Sequence, residues 1–114
     1  WGKQAPTCEL VNGDINGECV GDTSEVGSYP TGASPYGVMD MAGNVWEWTN
    51  DWYSDSYYSS SPVSNPPGPA NGTYKVLRGG GWLSYGLNLR TSHRNNYNPV
   101  NRVSRIGFRC AAPP

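Results

Sequence analysis

The run "GVMDMAGNVWEWTNDWY" (residues 37–53) is where apolar residues first gather densely. From Val45 large and polar side chains alternate. Trp46, Trp48 and Trp52 fall on one side of an extended chain, and Val45, Glu47, Thr49 and Asp51 on the other. That period of two predicts a strand. The residues just before it, Val38 to Ala42, are expected to form one short helical turn. "YKVLRGGGW" (residues 74–82) resumes strand character and is cut by three glycines. "SRIGFRCA" (residues 104–111) alternates again, with Ile106, Phe108 and Cys110 to one side and Arg105 and Arg109 to the other. Trp46, Trp48, Trp52, Ile106 and Phe108 are therefore the expected core.

The intervening segments lack such patterning. Residues 1–35 carry turn formers every few positions and no helical period, and read as loop. Residues 54–72, "SDSYYSSSPVSNPPGPANG", form a surface crossing, because repeated Pro cannot sustain a ladder of hydrogen bonds. Residues 83–104 are polar without a sustained period, and read as loop holding at most a distorted strand or a turn of helix. There are no internal repeats.

Composition narrows this picture. A chain of 114 residues is enough for one small domain, and 36% apolar residues leave no thick aliphatic core. Five Trp and eight Tyr compensate, since each aromatic buries a large area. Fifteen Gly and ten Pro point to many turns and little helix, without the repeat of a collagen. No window is apolar for long enough to span a bilayer. The absence of a leader-like stretch or a starting Met fits a processed or truncated piece.

The net charge of −1 hides an asymmetry: all nine acidic residues lie between Glu9 and Asp55, while Lys75 and six Arg follow with no acid among them. Pairing of the two halves is the favoured expectation; a basic patch for an anionic partner is the alternative. Cys8 and Cys19 bracket a turn-rich loop that a disulfide would close, or they stand as two reduced thiols. An oxidised pair would favour an extracellular or cell-surface setting for a bacterial-type protein. His93 is the only His and no CxxC occurs, which argues against zinc. Ser92 beside His93 makes no dyad, because neighbours in an extended chain point apart. No catalytic residue is assigned. With only Tyr85 and Tyr97 placed to stack near the basic residues, nucleic acid is not an expected partner.

In order, "SPYGVMDMAGNVWEWTNDWY", "NPPGP", "VLRGGGW", paired arginines and "IGFRCA" resemble the C-terminal half of the formylglycine-generating enzyme, or sulfatase-modifying factor, family. The blocks run from about Tyr29 to Ala111. The resemblance implies an α+β fold with little regular secondary structure, related to C-type lectins, with residues 1–114 as the C-terminal part of one domain and the N-terminal half as partner. The family's enzymes oxidise a substrate cysteine with copper held by two cysteines just after "RGG". Here that stretch, with Ser84, Tyr85 and Gly86, contains no Cys, so no copper is expected. The resemblance also implies a structural calcium at Asn44 and Glu47 with backbone oxygens of Gly43 and Val45. The alternative is that Glu47 pairs with an Arg and Asn44 serves a tight turn. The family's other calcium site lies in the region of residues 8–22, which is rewritten here and not transferred. In the family's framework, Arg78, Arg94 and Arg109 hold loops together.

The chain also resembles variable proteins of diversity-generating retroelements, which share this fold and end in a hypervariable "RGGSW…R…R…GFR" segment. Their diversification yields no Trp, Met, Lys, Glu or Gln, and residues 83–111 contain none of the five. Asn, Ser and Tyr, abundant there, are residues that paratopes favour. The expectation is a non-catalytic module that binds a protein or small-molecule ligand through residues 84–104. Ser84, Tyr85, Asn88, His93, Asn95, Tyr97 and Asn101 are the candidate contacts. The alternative is a formylglycine-generating or related metal-dependent oxidoreductase whose metal ligands lie outside this chain.

Overall fold

The computed structural model describes residues 1–111. The strand predicted from Val45 runs over Trp46–Trp52 as β1. It pairs antiparallel with β2 (Lys75–Arg78), which pairs antiparallel with β3 (Asn95–Tyr97). On its other side β1 pairs parallel with β4 (Ile106–Gly107), giving one sheet in the order β3-β2-β1-β4. Among the described residues the helical part is confined to two 3-10 turns, Pro30–Gly32 and Tyr57–Ser59. The expected distorted strand within residues 83–104 is β3. The register Glu47↔Arg78 and Trp48↔Leu77 slips before Trp52↔Lys75, so β1 bulges. Lys75 Nζ then sits 4.0 Å from the centre of the Trp52 ring and donates to Asn50 O at 2.6 Å.

The expected helical turn at Val38–Ala42 does not form. Asp40, Gly43 and Asn44 all have positive φ, at 58°, 77° and 60°, and a right-handed turn does not pass through such residues. The carbonyls of Met39 and Asp40 instead accept from the Arg109 guanidinium. Sequence periodicity cannot register a ligand arriving from seventy residues away.

Trp46, Val76, Leu77, Val11 and Leu89 form the buried apolar core. Complete burial of Leu77 stabilises the fold by about 2–3 kcal/mol relative to leaving it in water. Trp48, Trp52 and Ile106 are half-buried. Phe108 corrects the expected core, being 76% exposed. β4 ends at Gly107, so the alternation that would turn Phe108 inward has no strand to act through. Val11 and Leu89 reach the core from loops, where no local period marks them.

Backbone bonds between loops complete the scaffold. Gly43 N donates to Gly79 O at 2.9 Å, Asn44 N to Asn12 O at 2.8 Å, and Trp82 N to Asn44 O at 2.8 Å. The glycine turn after β2 is required for this close approach. Gly80 has φ of 77°, and a Cβ there would lie 2.6 Å from Leu89 Cδ2. Of the two states open to Cys8 and Cys19, the structure has the disulfide. Closing a loop of that length stabilises by about 3 kcal/mol in the chain-entropy account.

Candidate functional site

The arginines separate into those that build the scaffold and those that do not. Arg109 Nε donates to Glu47 Oε1 and Oε2 at 2.8 and 2.7 Å, while its Nη atoms reach Met39 O at 3.0 Å and Asp40 O at 2.9 Å. These hydrogen bonds to Glu47 hold the Arg109 guanidinium above its ordinary pKa, against the opposing effect of burial. Arg78 Nη1 donates to Thr91 O at 3.1 Å and His93 O at 2.8 Å. Arg94 lies 4.3 Å from the Tyr58 ring centre and donates to Ser54 O at 3.4 Å. All three expected framework arginines thus hold loops to the sheet. The expected charge pairing of the two halves is narrower than composition implies: Arg109–Glu47 is the one ion pair among the described residues.

The same contacts bear on a metal. Asn44 Oδ1 accepts from Ser24 N at 2.9 Å, and Asn44 Nδ2 donates to Ser24 O at 3.1 Å. Both Glu47 oxygens take the Arg109 fork, and Asn44 O already accepts from Trp82 N. As arranged, Asn44 and Glu47 do not fit a calcium ion together with Gly43 and Val45; the turn and ion-pair alternative is what the geometry displays. The donor set does not fit copper either. Cys8 and Cys19 are bridged to each other, and Cys110, exposed, is the free thiol among the described residues. Two polar atoms are buried without a partner among the described residues: Asn12 Oδ1 and Trp82 Nε1.

The seven candidate contacts do not form one surface. Ser84 is 4% exposed and structural: its Oγ accepts from Gly81 N at 2.9 Å, its N donates to Gly81 O, and its O accepts from Asp14 N. As a ligand contact it is a misassignment, because a small hydroxyl after a glycine turn closes that turn. Asn88, His93 and Tyr97 are half-buried, with the His93 ring 5.7 Å from that of Trp46. Asn95 and Tyr97 belong to β3, and Asn101 lies in the loop before β4. Tyr85, Asn95 and Asn101 are exposed.

Tyr85 opens onto a cavity of about 750 Å³ between the first six residues and residues 85–92. The two walls meet where Gly86 faces Pro6, so closely that a Cβ on Gly86 would lie 3.1 Å from Pro6 Cγ. Leu89 forms part of the buried floor, and Tyr85 and Leu87 stand 65% and 66% exposed at the lip. Lys3 and Arg90 also line it. Sequence reasoning missed Lys3, Leu87 and Arg90. "WGKQAP" has no local signal for a wall; the Trp1 amino group donating to Ala33 O at 2.9 Å and the approach of Pro6 to Gly86 make it one.

A family model described as the sulfatase-modifying factor enzyme 1-like domain matches residues 9–113. A protein of Chlamydia caviae named serine/threonine-protein kinase pkn1 is 52% identical over 92 residues, which is 79% of this chain and 15% of that protein. The formylglycine-generating enzyme of Streptomyces coelicolor is 44% identical over 93 residues, 78% of this chain and 29% of the enzyme. Among solved structures, Treponema denticola variable protein 1 matches with a TM-score of 0.73 at 34% identity, covering 88% of this chain and 34% of its own. The chain therefore spans 15% and 29% of the two curated relatives, whose names describe whole proteins.

Proposed function

We propose that this chain, which belongs to the family of sulfatase-modifying factor enzyme 1-like domains, is a non-catalytic binding module on that family's C-type-lectin-related scaffold. The observation that carries this reading is the open 750 Å³ cavity walled by residues 85–92, in a segment without paired thiols. A volume of that size accommodates a small organic ligand. In the stretch after "RGG", which contains no Cys, Ser84 is a buried hydroxyl engaged in a backbone turn. Hydroxyls do not hold Cu(I) as thiolates do.

Ligand contacts then come from the lip of the cavity, chiefly Tyr85, with Asn95 and Asn101 as further exposed polar positions outside the lining. Likeness to a variable protein supports including those polar positions among sites that diversify. That origin calls for a reverse transcriptase gene and a near-duplicate of the coding segment for residues 83–108 in the genomic neighbourhood. Metal content and oxygen uptake of the intact protein test the whole reading. The expected outcome is no copper or iron at one equivalent per domain and no metal-dependent oxygen consumption. Stoichiometric redox metal with turnover would overturn it in favour of an oxidoreductase.

A further inference from the structure

We propose that the cavity between residues 1–6 and 85–92 selects small amphipathic organic anions, with an apolar body and one carboxylate, sulfonate or similar group. This rests on the reading of that cavity as the ligand site. Its lining divides by chemistry. Pro6, Pro35, Met41, Leu87 and Leu89 give an apolar trough, and Tyr85 adds an aromatic face. The charged residues of the lining are Lys3 and Arg90; no Asp or Glu is among them. Both cations are exposed. Neither takes part in the one ion pair among the described residues, which joins Arg109 to Glu47.

This arrangement differs from that of the three framework arginines, and Arg102 and Arg105, exposed like Arg90, lie outside the cavity lining. Arg78, Arg94 and Arg109 are engaged with carbonyls, rings or a carboxylate of the chain itself. Arg90 has no such engagement among the described residues, although it lies only twelve positions from Arg78 in sequence. Asp14, which bridges to Tyr85, accepts from Gly17 N through Oδ1 at 3.2 Å and is not part of the lining. Two uncompensated positive charges beside a concave apolar wall focus their field into the cavity, where water screens it less than on a flat surface. An anion with an apolar body gains from both features. A neutral molecule of the same shape gains from the wall alone, and a cation is repelled.

Two fluorescent probes of nearly the same shape separate the contributions: 1-anilinonaphthalene-8-sulfonate, an anion, and N-phenyl-1-naphthylamine, its neutral counterpart. Titrations on the intact protein compare the wild type, the double variant Lys3→Gln/Arg90→Gln, and Leu87→Ala. Thermal melts confirm that these exposed substitutions leave the fold in place. The double variant is expected to weaken the anionic probe about five- to tenfold and leave the neutral probe unchanged, the size of two partly screened charge contacts. Leu87→Ala is expected to weaken both probes. Raising the salt concentration is expected to weaken the anionic probe alone. If the charge variant affects neither probe, or both equally, while Leu87→Ala still weakens both, selection for anions is overturned and the cavity stands as a ligand site. If no variant changes the binding of either probe, the cavity is not the site and both readings fall.

Discussion

The glycine turn at residues 79–84 and the segment that follows, residues 85–92, are neighbours in sequence and opposites in construction. The turn is tied into the chain by its backbone and by Ser84: Gly79 O takes Gly43 N, Trp82 N reaches Asn44 O, and Ser84 uses its N, O and Oγ. In the second segment Tyr85, Leu87 and Arg90 face outward around a cavity. Leu89 is the hinge between the two regimes, buried at 5% under Gly80 and yet part of the cavity floor. A scaffold poor in regular structure thus keeps its rigidity in turns, and leaves the adjoining loop free to carry contacts.

The largest effect that would break the comparison is expected at the turn. Gly80→Val puts a branched side chain at a positive φ and against Leu89, and Gly43→Val does the same against Val11 and the Asn12 backbone. Each is expected to destabilise by about 3 kcal/mol or more, combining backbone strain with overpacking. Denaturant midpoints measure this; a loss below about 1 kcal/mol would show that the turn yields and is not the rigid element. Leu77→Ala, at 2% exposure beneath the sheet, is expected to cost about 2–4 kcal/mol and sets the scale for ordinary core loss.

Next comes the clamp between Arg109 and residues 39–47. Arg109→Lys keeps the charge but loses the fork that reaches Glu47, Met39 and Asp40 together, and is expected to cost about 1–3 kcal/mol. Combined with Glu47→Gln the losses should not add, since both remove the same contact. The sign of the pH dependence follows from the raised Arg109 pKa. A cation whose folded value lies above its unfolded one stabilises fully below the unfolded value, and the benefit is lost only as pH rises through the folded one. The stabilisation from Arg109 should therefore be fully present on the acid side, where its own titration adds no pH dependence to the melting temperature. Adding calcium or a chelator should leave the melting temperature unchanged as well. A rise with calcium would show that Glu47 and Asn44 exchange their present partners for an ion.

Much of this was readable in the sequence, for definite reasons. β1 was visible because its alternation spans seven residues of a single strand, and Arg78, Arg94 and Arg109 were assigned to the framework through the motif blocks in which they lie. Phe108 was misplaced because two-residue β4 is too short for periodicity to mean anything. Ser84 was misread because composition reports that a segment is polar and not which polar atoms are already bonded to backbone. The cavity was invisible because its walls are about eighty residues apart and meet through a glycine and a proline, neither of which carries a pattern.

The smallest effects test whether the polar residues after the turn are contacts or scaffold, and two tyrosines make the sharpest pair. Tyr85 is 65% exposed at the cavity lip; Tyr97 is half-buried in β3, where it pairs with Lys75. Tyr85→Ala removes little that is packed, so its stability should stay within about 0.5 kcal/mol of wild type, as for surface positions generally. Tyr97→Ala removes an aromatic from a strand and should cost about 1 kcal/mol. Affinity for a cavity ligand should respond in the reverse order, falling for Tyr85→Ala and holding for Tyr97→Ala once both are measured well below their melting points. The crossing of the two orders is the signature. If both properties fall together at Tyr85, its ring is holding the Pro6 wall in place and the loop belongs to the scaffold after all.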